Sequence, residues 1–568
     1  AGDIKIGETN FKSDSIVLKP QIAEIDSVEL AIIDNSDKVF TSGICDIIID
    51  FEKLTANIQI PKDSIAKYNY NYLTTNKSNY IWDFQNKTVI AFSDSSKDNH
   101  YTFIDNKLKD IQLSASNSNF DLPNRKLQLF GISQILVADS KIIPNKEQLT
   151  IDEGGAINIM DSATVVLNAD SSFHIIGPVN VEIINKDRIK GDGIFPIQIG
   201  NEIKKIQLEY FKTEEKIDDT SKKEKNQIST YYTLARGSVE ESDAFKISEN
   251  LLYKGSVAFS SLSNEIKLDG YAKPVFNSIP EMEWFKVEQS LNLDKSSLQI
   301  DSLKNELGQN IYTGLMLDLN EFIIYPRVIQ SKLTSTDRPL YNANGFMKSN
   351  DDNAEVYLGN LDALEKNSYY KPLMKYDDSD GKIKAVGNFN LSKNIEPLKL
   401  DIYGQSTYSA TDSTPFSIEG SVGLDMYLTP DVSFILSRFM TDFHTSGIYL
   451  SLNKNSEFSF AVTRLIENAQ TANQVSQDML NSGILNLPQD FGYNMVFSDV
   501  KISFDRMDGT FKSVDPINML VFAGKPFAKK ISAYIEIGPR NTNDFINLYL
   551  KTSSGDWIYL RYTNGELS

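Results

Sequence analysis

The chain is short of the residues that build compact chemistry. It has one cysteine and three histidines in 568 residues. A single thiol, Cys45, cannot close an internal disulfide, and with His100, His174 and His444 scattered it offers no zinc-ligand spacing. A disulfide scaffold is excluded, and Cys45, in GICDII, is expected as a small buried hydrophobe on a strand. Uninterrupted apolar runs are short: none approaches the ~18 residues that a membrane-crossing helix needs. Basic residues are the minority, 57 Lys and Arg against 76 Asp and Glu, for a net charge of −19. Such a field repels phosphates, and the densest basic run, SKKEK at 221–225, lies beside acidic residues 214–219 and reads as a solvated loop. Nucleic acid is therefore excluded as an expected partner. There is no glycine-rich phosphate loop before a helix and no Gly-x-Ser-x-Gly elbow. Residues 1–11 lack the basic-then-apolar pattern of a signal peptide, and a turn signal at 564–565 closely follows the last strand pattern. The chain is expected to be a mature or trimmed piece of a longer one.

What is abundant is alternation. Residues 126–137 (KLQLFGISQILV), 164–177 (TVVLNADSSFHIIG), 531–537 (ISAYIEI) and 557–562 (WIYLRY) alternate apolar and polar side chains. A period of two places successive side chains on opposite faces of a strand. The 26 Tyr and 31 Phe suit packing across strands. The predicted fold class is mainly β, with serial sandwich, jellyroll or solenoid-like layers and one helical element near 462–480, where apolar residues recur at three- and four-residue steps before a Ser-Gly stop. A helical turn is expected at 361–366 and a short helix beginning near 429–431. Composition shifts, including a charged stretch at 202–225, predict four domains: 1–205, 206–290, 291–400 and 401–568.

Two places carry candidate chemistry. In DDSDG, Asp377, Asp378 and Asp380 put three carboxylates before a glycine, which suits Ca²⁺. The calcium-hand pattern also needs a Glu at position twelve, and Asn388 stands there, so a solvated hairpin turn is the competing reading. NDDN at 350–353 is a weaker version. Tyr68, Tyr70 and Tyr72 alternate ahead of Trp82; on one strand face they form an aromatic platform for a sugar ring, the competing reading being a core cluster. His174 reads as a strand residue rather than a base. The acidic pairs Glu240–Glu241 and Glu281 with Glu283 read as solvent faces rather than a glycosidase pair. No catalytic residue and no cofactor other than calcium is assigned.

The blocks FGISQILVADSKIIP at 130–144, VFSDVKISF at 496–504 and AYIEI…DFINLYLKTSSGDWIYLRYT at 533–563 resemble, in the same order, the C-terminal portion of a family of very large, uncharacterised exported proteins of Bacteroidetes. Residues 231–254 have a counterpart between them. The strand cadence of the middle is also similar, on cadence alone, to the β-jellyroll of lipopolysaccharide-transport proteins. The resemblance implies an extracytoplasmic location (periplasmic, outer-membrane associated or secreted), mainly β architecture and no assigned activity. The expected function is a non-enzymatic structural or interaction protein of the bacterial envelope or surface. Its expected partners are other envelope proteins, glycan or lipid. A lipid or glycolipid carrier with an apolar groove is the second reading, a glycan-active enzyme the third.

Overall fold

Alternation in sequence becomes alternation in burial. In Thr88–Phe92 (TVIAF), Val89 and Ala91 are buried while Ile90 and Phe92 are exposed. In Lys126–Phe130, Leu127 and Leu129 are buried on either side of an exposed Gln128. A computed structural model describes residues 2–568 apart from 62–63, 93–99, 169, 172, 200–201, 217–229, 249, 280–281, 292–296, 351–354, 367–370, 394, 411, 413–414 and 446–447. Among the described residues there are 45 strands and four α-helices, a mainly β fold as the periodicity predicts. Cys45 is buried on the strand Asp37–Asp50, and burial pushes its thiol up to about 11.

The chain forms two compact units, one of residues 1–245, 253–270 and 288–294, the other of residues 246–252, 271–287 and 295–568. The four-domain expectation is corrected by the ladders. The boundary at 205 falls inside the strand Glu202–Lys216, which is bonded to Arg188–Ile199 on one side and Thr230–Val239 on the other. That strand is charged yet still alternates: Ile206, Leu208 and Phe211 are buried between exposed Lys205, Glu209 and Lys212. The boundary at 400 falls in the strand Lys399–Tyr408, likewise bonded on both edges. A strand whose N–H and C=O groups are spent on both neighbours cannot serve as a linker. The basic run 221–225 lies outside the described residues.

The first unit contains a 13-stranded sheet, a meander that continues from Met160–Leu167 through Thr230–Val239, and an N-terminal hairpin of Gly2–Ile6 and Thr9–Ser13. The second unit carries a 16-stranded sheet and a three-stranded sheet with Tyr312–Asp318 at its centre. The larger sheet runs nearly in chain order from Glu355–Gly359 to Trp557–Thr563. It forks at Met495–Asp505: residues 502–505 pair with Thr510–Ser513, and residues 495–498 pair with Ile517–Phe522.

Helices interrupt the order. Helix α1 is Leu361–Lys366, where one helical turn is expected. Between the paired strands Phe416–Asp425 and Met495–Asp505 lie α2 (Pro430–Thr445), α3 (Ser456–Thr463) and α4 (Ala469–Ser482). The single helix expected near 462–480 is thus two. Asn468 turns out of helical geometry, and its side chain accepts the Gln470 and Thr471 N–H groups, so a new helix starts there. Gly483 ends α4 in the left-handed conformation that only glycine adopts without penalty. Val475 and Met479 of α4 pack with Phe458 and Val462 of α3 over Val496, Leu520 and Val521 of the sheet.

Candidate functional site

The expected aromatic platform is not one face. Tyr68 is fully buried, its ring 5.3 Å from both Phe40 and Phe120 and its hydroxyl 3.1 Å from Ser118 Oγ. Burial raises its phenol well above the ordinary range. Trp82 is a core residue packed on Phe11 and Phe84. Tyr70 is half-buried beneath the Arg125 guanidinium, 3.9 Å from its ring centre. Tyr72 alone is exposed, at a left-handed φ of 52°. The physical reason is local: the strand Ala66–Tyr68 ends at 68 and residues 69–72 turn, so the two-residue period does not run on.

The calcium expectation is also corrected. Asp378 is buried, and its oxygens accept from Asn277 N (2.8 Å), Asn277 Nδ2 (3.1 Å), Ser278 N (3.0 Å) and Ser278 Oγ (2.9 Å). Asp377 instead accepts from Ser379, and Asp380 pairs with Lys382 at 2.6 Å. Four protein donors already occupy Asp378, and its neighbours serve their own turn. Among the described residues no group of three or more His, Cys, Asp or Glu is placed to hold a metal ion. Residues 351–353 of the weaker acidic loop lie outside the described residues.

The remaining candidates are dispersed. His174 Nε2 lies 2.9 Å from the Ser263 carbonyl, and burial lowers its pKa. His100 Nδ1 meets Ser114 Oγ at 3.2 Å. The side chain of His444 and Glu281 lie outside the described residues. Glu241 pairs with Lys254 at 2.9 Å, and Glu240 caps the turn Glu241–Asp243. Glu283 joins Ser331 to Asn305, accepting from Ser331 N (2.8 Å), Ser331 Oγ (2.7 Å) and Asn305 Nδ2 (2.7 Å).

An outward aromatic face does exist, at the end of the chain. The strands Ala533–Gly538, Phe545–Lys551 and Trp557–Thr563 pair so that Tyr534, Tyr549 and Tyr559 stand in one row and Trp557 stands beside Lys551 in the next. Tyr534 is 40% exposed, Trp557 and Tyr559 46% each. The rings of Tyr534 and Trp557 are 5.6 Å apart, those of Tyr549 and Tyr559 5.0 Å. Tyr559 donates to Asn547 Oδ1 (3.1 Å), whose amide donates to Glu536 (2.6 Å), so polar groups flank the rings. The opposite row, Ile535, Leu548 and Leu560, is buried. The signal was present in WIYLRY and ISAYIEI: aromatic residues occupy the phase that alternation reserves for polar ones.

The same unit has a cavity of about 390 Å³ where α3 crosses the strands Lys399–Tyr408 and Phe416–Asp425. Its walls are Tyr403 and Phe460, packed edge to face at 4.9 Å. Its floor is bare backbone at Gly404 and Gly420, which are cross-strand partners. A Cβ on Gly420 would fall 2.0 Å from the Tyr403 carbonyl, so the two strands approach too closely for any side chain there. Behind Tyr403 the half-buried Arg464 donates to Ser421 Oγ at 3.1 Å, and burial lowers its pKa to about 10. Asp401 balances this charge and accepts from the Tyr493 hydroxyl at 2.5 Å.

No protein-family model and no curated protein matches the chain.

Proposed function

We propose that the chain is a non-enzymatic interaction protein of the bacterial envelope or surface, in which the sheets act as a support. The outward face of Tyr534, Tyr549, Trp557 and Tyr559 carries this reading. Four aromatic side chains on one sheet face are costly to leave in water, and Tyr and Trp are the side chains that recognition surfaces concentrate. A lipid carrier needs an inner face left open. Here the inner rows are filled: Ala23, Ile25, Ile47 and Ile49 in one sheet, and Ile535, Leu548 and Leu560 in another, are between 0% and 4% exposed. Among the described residues, the placing of His100, His174 and Glu283 in structural hydrogen bonds favours binding over catalysis.

The experiment is retention. Immobilised protein should hold material from an outer-membrane extract, and W557A/Y559A should release it with an unchanged melting temperature. Equal retention by the variant, or turnover of a glycan or ester substrate by the isolated chain, refutes the reading.

A further inference from the structure

The cavity against α3 has the chemistry of a cation site. Three carboxylates line it, from Glu419, Glu457 and Asp499; Lys501, outside the lining, pairs with Glu419 at 3.0 Å and also acts on Asp499, which accepts from Asn518 Nδ2 at 3.5 Å. Arg464, the other nearby cation, is held behind Tyr403 and balanced by Asp401. Acidic side chains on a chain of net charge −19 are unremarkable by themselves. A second feature separates these. Ser498 lines the cavity, is 1% exposed, and its hydroxyl has no hydrogen-bond partner. A buried hydroxyl left unpaired is destabilising, and a ligand group that bonds to it would relieve that. Its position follows from a β-bulge: the register between Phe416–Asp425 and Met495–Asp505 shifts between Gly420 and Val422, and Asp499 takes a left-handed φ of 55°. Bulges re-aim side chains and recur beside binding sites.

We infer that this cavity binds an organic ammonium on an aliphatic stem, of the kind a lysine side chain carries. The stem lies along the wall that the packed rings of Tyr403 and Phe460 present to the cavity, and aromatic faces also attract a cation. The ammonium reaches the carboxylates of Glu457 and Asp499, and Ser498 Oγ accepts one of its hydrogens. About 390 Å³ is within the usual range of small-ligand sites. The same chemistry comes from a free diamine or from a lysine of a partner polypeptide. The inference stands on geometry separate from the outward aromatic face.

The test is calorimetric titration of the full chain with cadaverine and with Nα-acetyl-lysine methylamide. The neutral Nα-acetyl-norleucine methylamide is the control. Saturable binding of either amine is expected, weakening with salt. Loss of the two carboxylates in E457Q/D499N should weaken it about tenfold or more, and Ser498→Ala should weaken it less. Both carboxylates are exposed, so folding is retained, and an unchanged melting temperature verifies it. Preference for the capped lysine assigns a polypeptide source, and preference for cadaverine a free amine. Failure of both to saturate, equal binding of the norleucine control, or full affinity in E457Q/D499N overturns the inference. W557A/Y559A should bind the amine as the parent does, so this result is read independently of the proposed function.

Discussion

Asp544 is a buried carboxylate that ties three segments of the second unit together. It is 2% exposed and accepts from Arg338 Nη1 (2.9 and 2.7 Å), Arg540 N (2.7 Å), Lys393 N (2.5 Å) and Ser392 Oγ (3.1 Å). One side chain thereby fastens the strand Arg338–Asn342 and the segment at 392–393 to the head of Phe545–Lys551. Asp544→Asn keeps the shape, removes the charge and turns one acceptor oxygen into a donor facing other donors. Arg338, whose side chain is 14% exposed, loses its counter-charge. Breaking one side of a buried pair costs about 3–5 kcal/mol. At roughly 2 °C per kcal/mol for a unit this large, its melting transition should fall by about 6–10 °C. Scanning calorimetry of the full chain measures this. Arg338→Met on top of Asp544→Asn should recover part of the loss, because the stranded charge is then gone. A fall under about 2 °C would refute the assignment of this carboxylate as a buried anchor.

Three further outcomes are expected. Lys77 is buried, its ammonium donating to the Ser116 carbonyl, and burial lowers its pKa to about 8 from 10.5. Between those values the unfolded chain holds more protons, so stability rises with pH across that window. Lys77→Met should remove the rise and stabilise the first unit at neutral pH, and melting curves that keep the same pH slope in the variant contradict this. A chelator should leave the melting temperature unchanged. Asp378→Ala, which strands the donors of Asn277 and Ser278, should cost about 3 kcal/mol in urea unfolding, while Asp380→Ala should leave the curve where it was. A chelator-sensitive parent would restore calcium to the loop. Met479→Ala empties a fully buried position between α3 and α4 and should cost about 2–5 kcal/mol, measured by the same unfolding. A loss below about 1 kcal/mol would mean that the helix pair is loosely packed.

The strand pattern was legible because it is local. Val89 and Ala91, or Leu127 and Leu129, show their inward phase without knowledge of any partner. The helix break at Asn468 was legible in principle, since Asn followed by a helix-forming run is a start signal, but the apolar spacing on either side of it continues and masks it. The Tyr68–Trp82 reading failed because periodicity gives a phase and not the residue at which a strand stops. The DDSDG reading failed because ligands and structural acceptors share one residue type. Asp378 became a core acceptor through Asn277 and Ser278, about a hundred positions away in the chain.

The sequence by itself determined the fold class, the inward and outward phase of the alternating strands, and an acidic field hostile to phosphate. These follow from nearest-neighbour sterics, side-chain hydrophobicity and summed charge, none of which needs a folded partner. Only the tertiary structure decided the two units in place of four, the outward placement of Trp557 beside Tyr534, and the meeting of Ser498, Glu457 and Tyr403 around one cavity. Such meetings depend on strand register and on where α3 lands on the sheet. A shift of one residue in strand register would turn Tyr403 or Ser498 to the opposite face while leaving the sequence pattern intact.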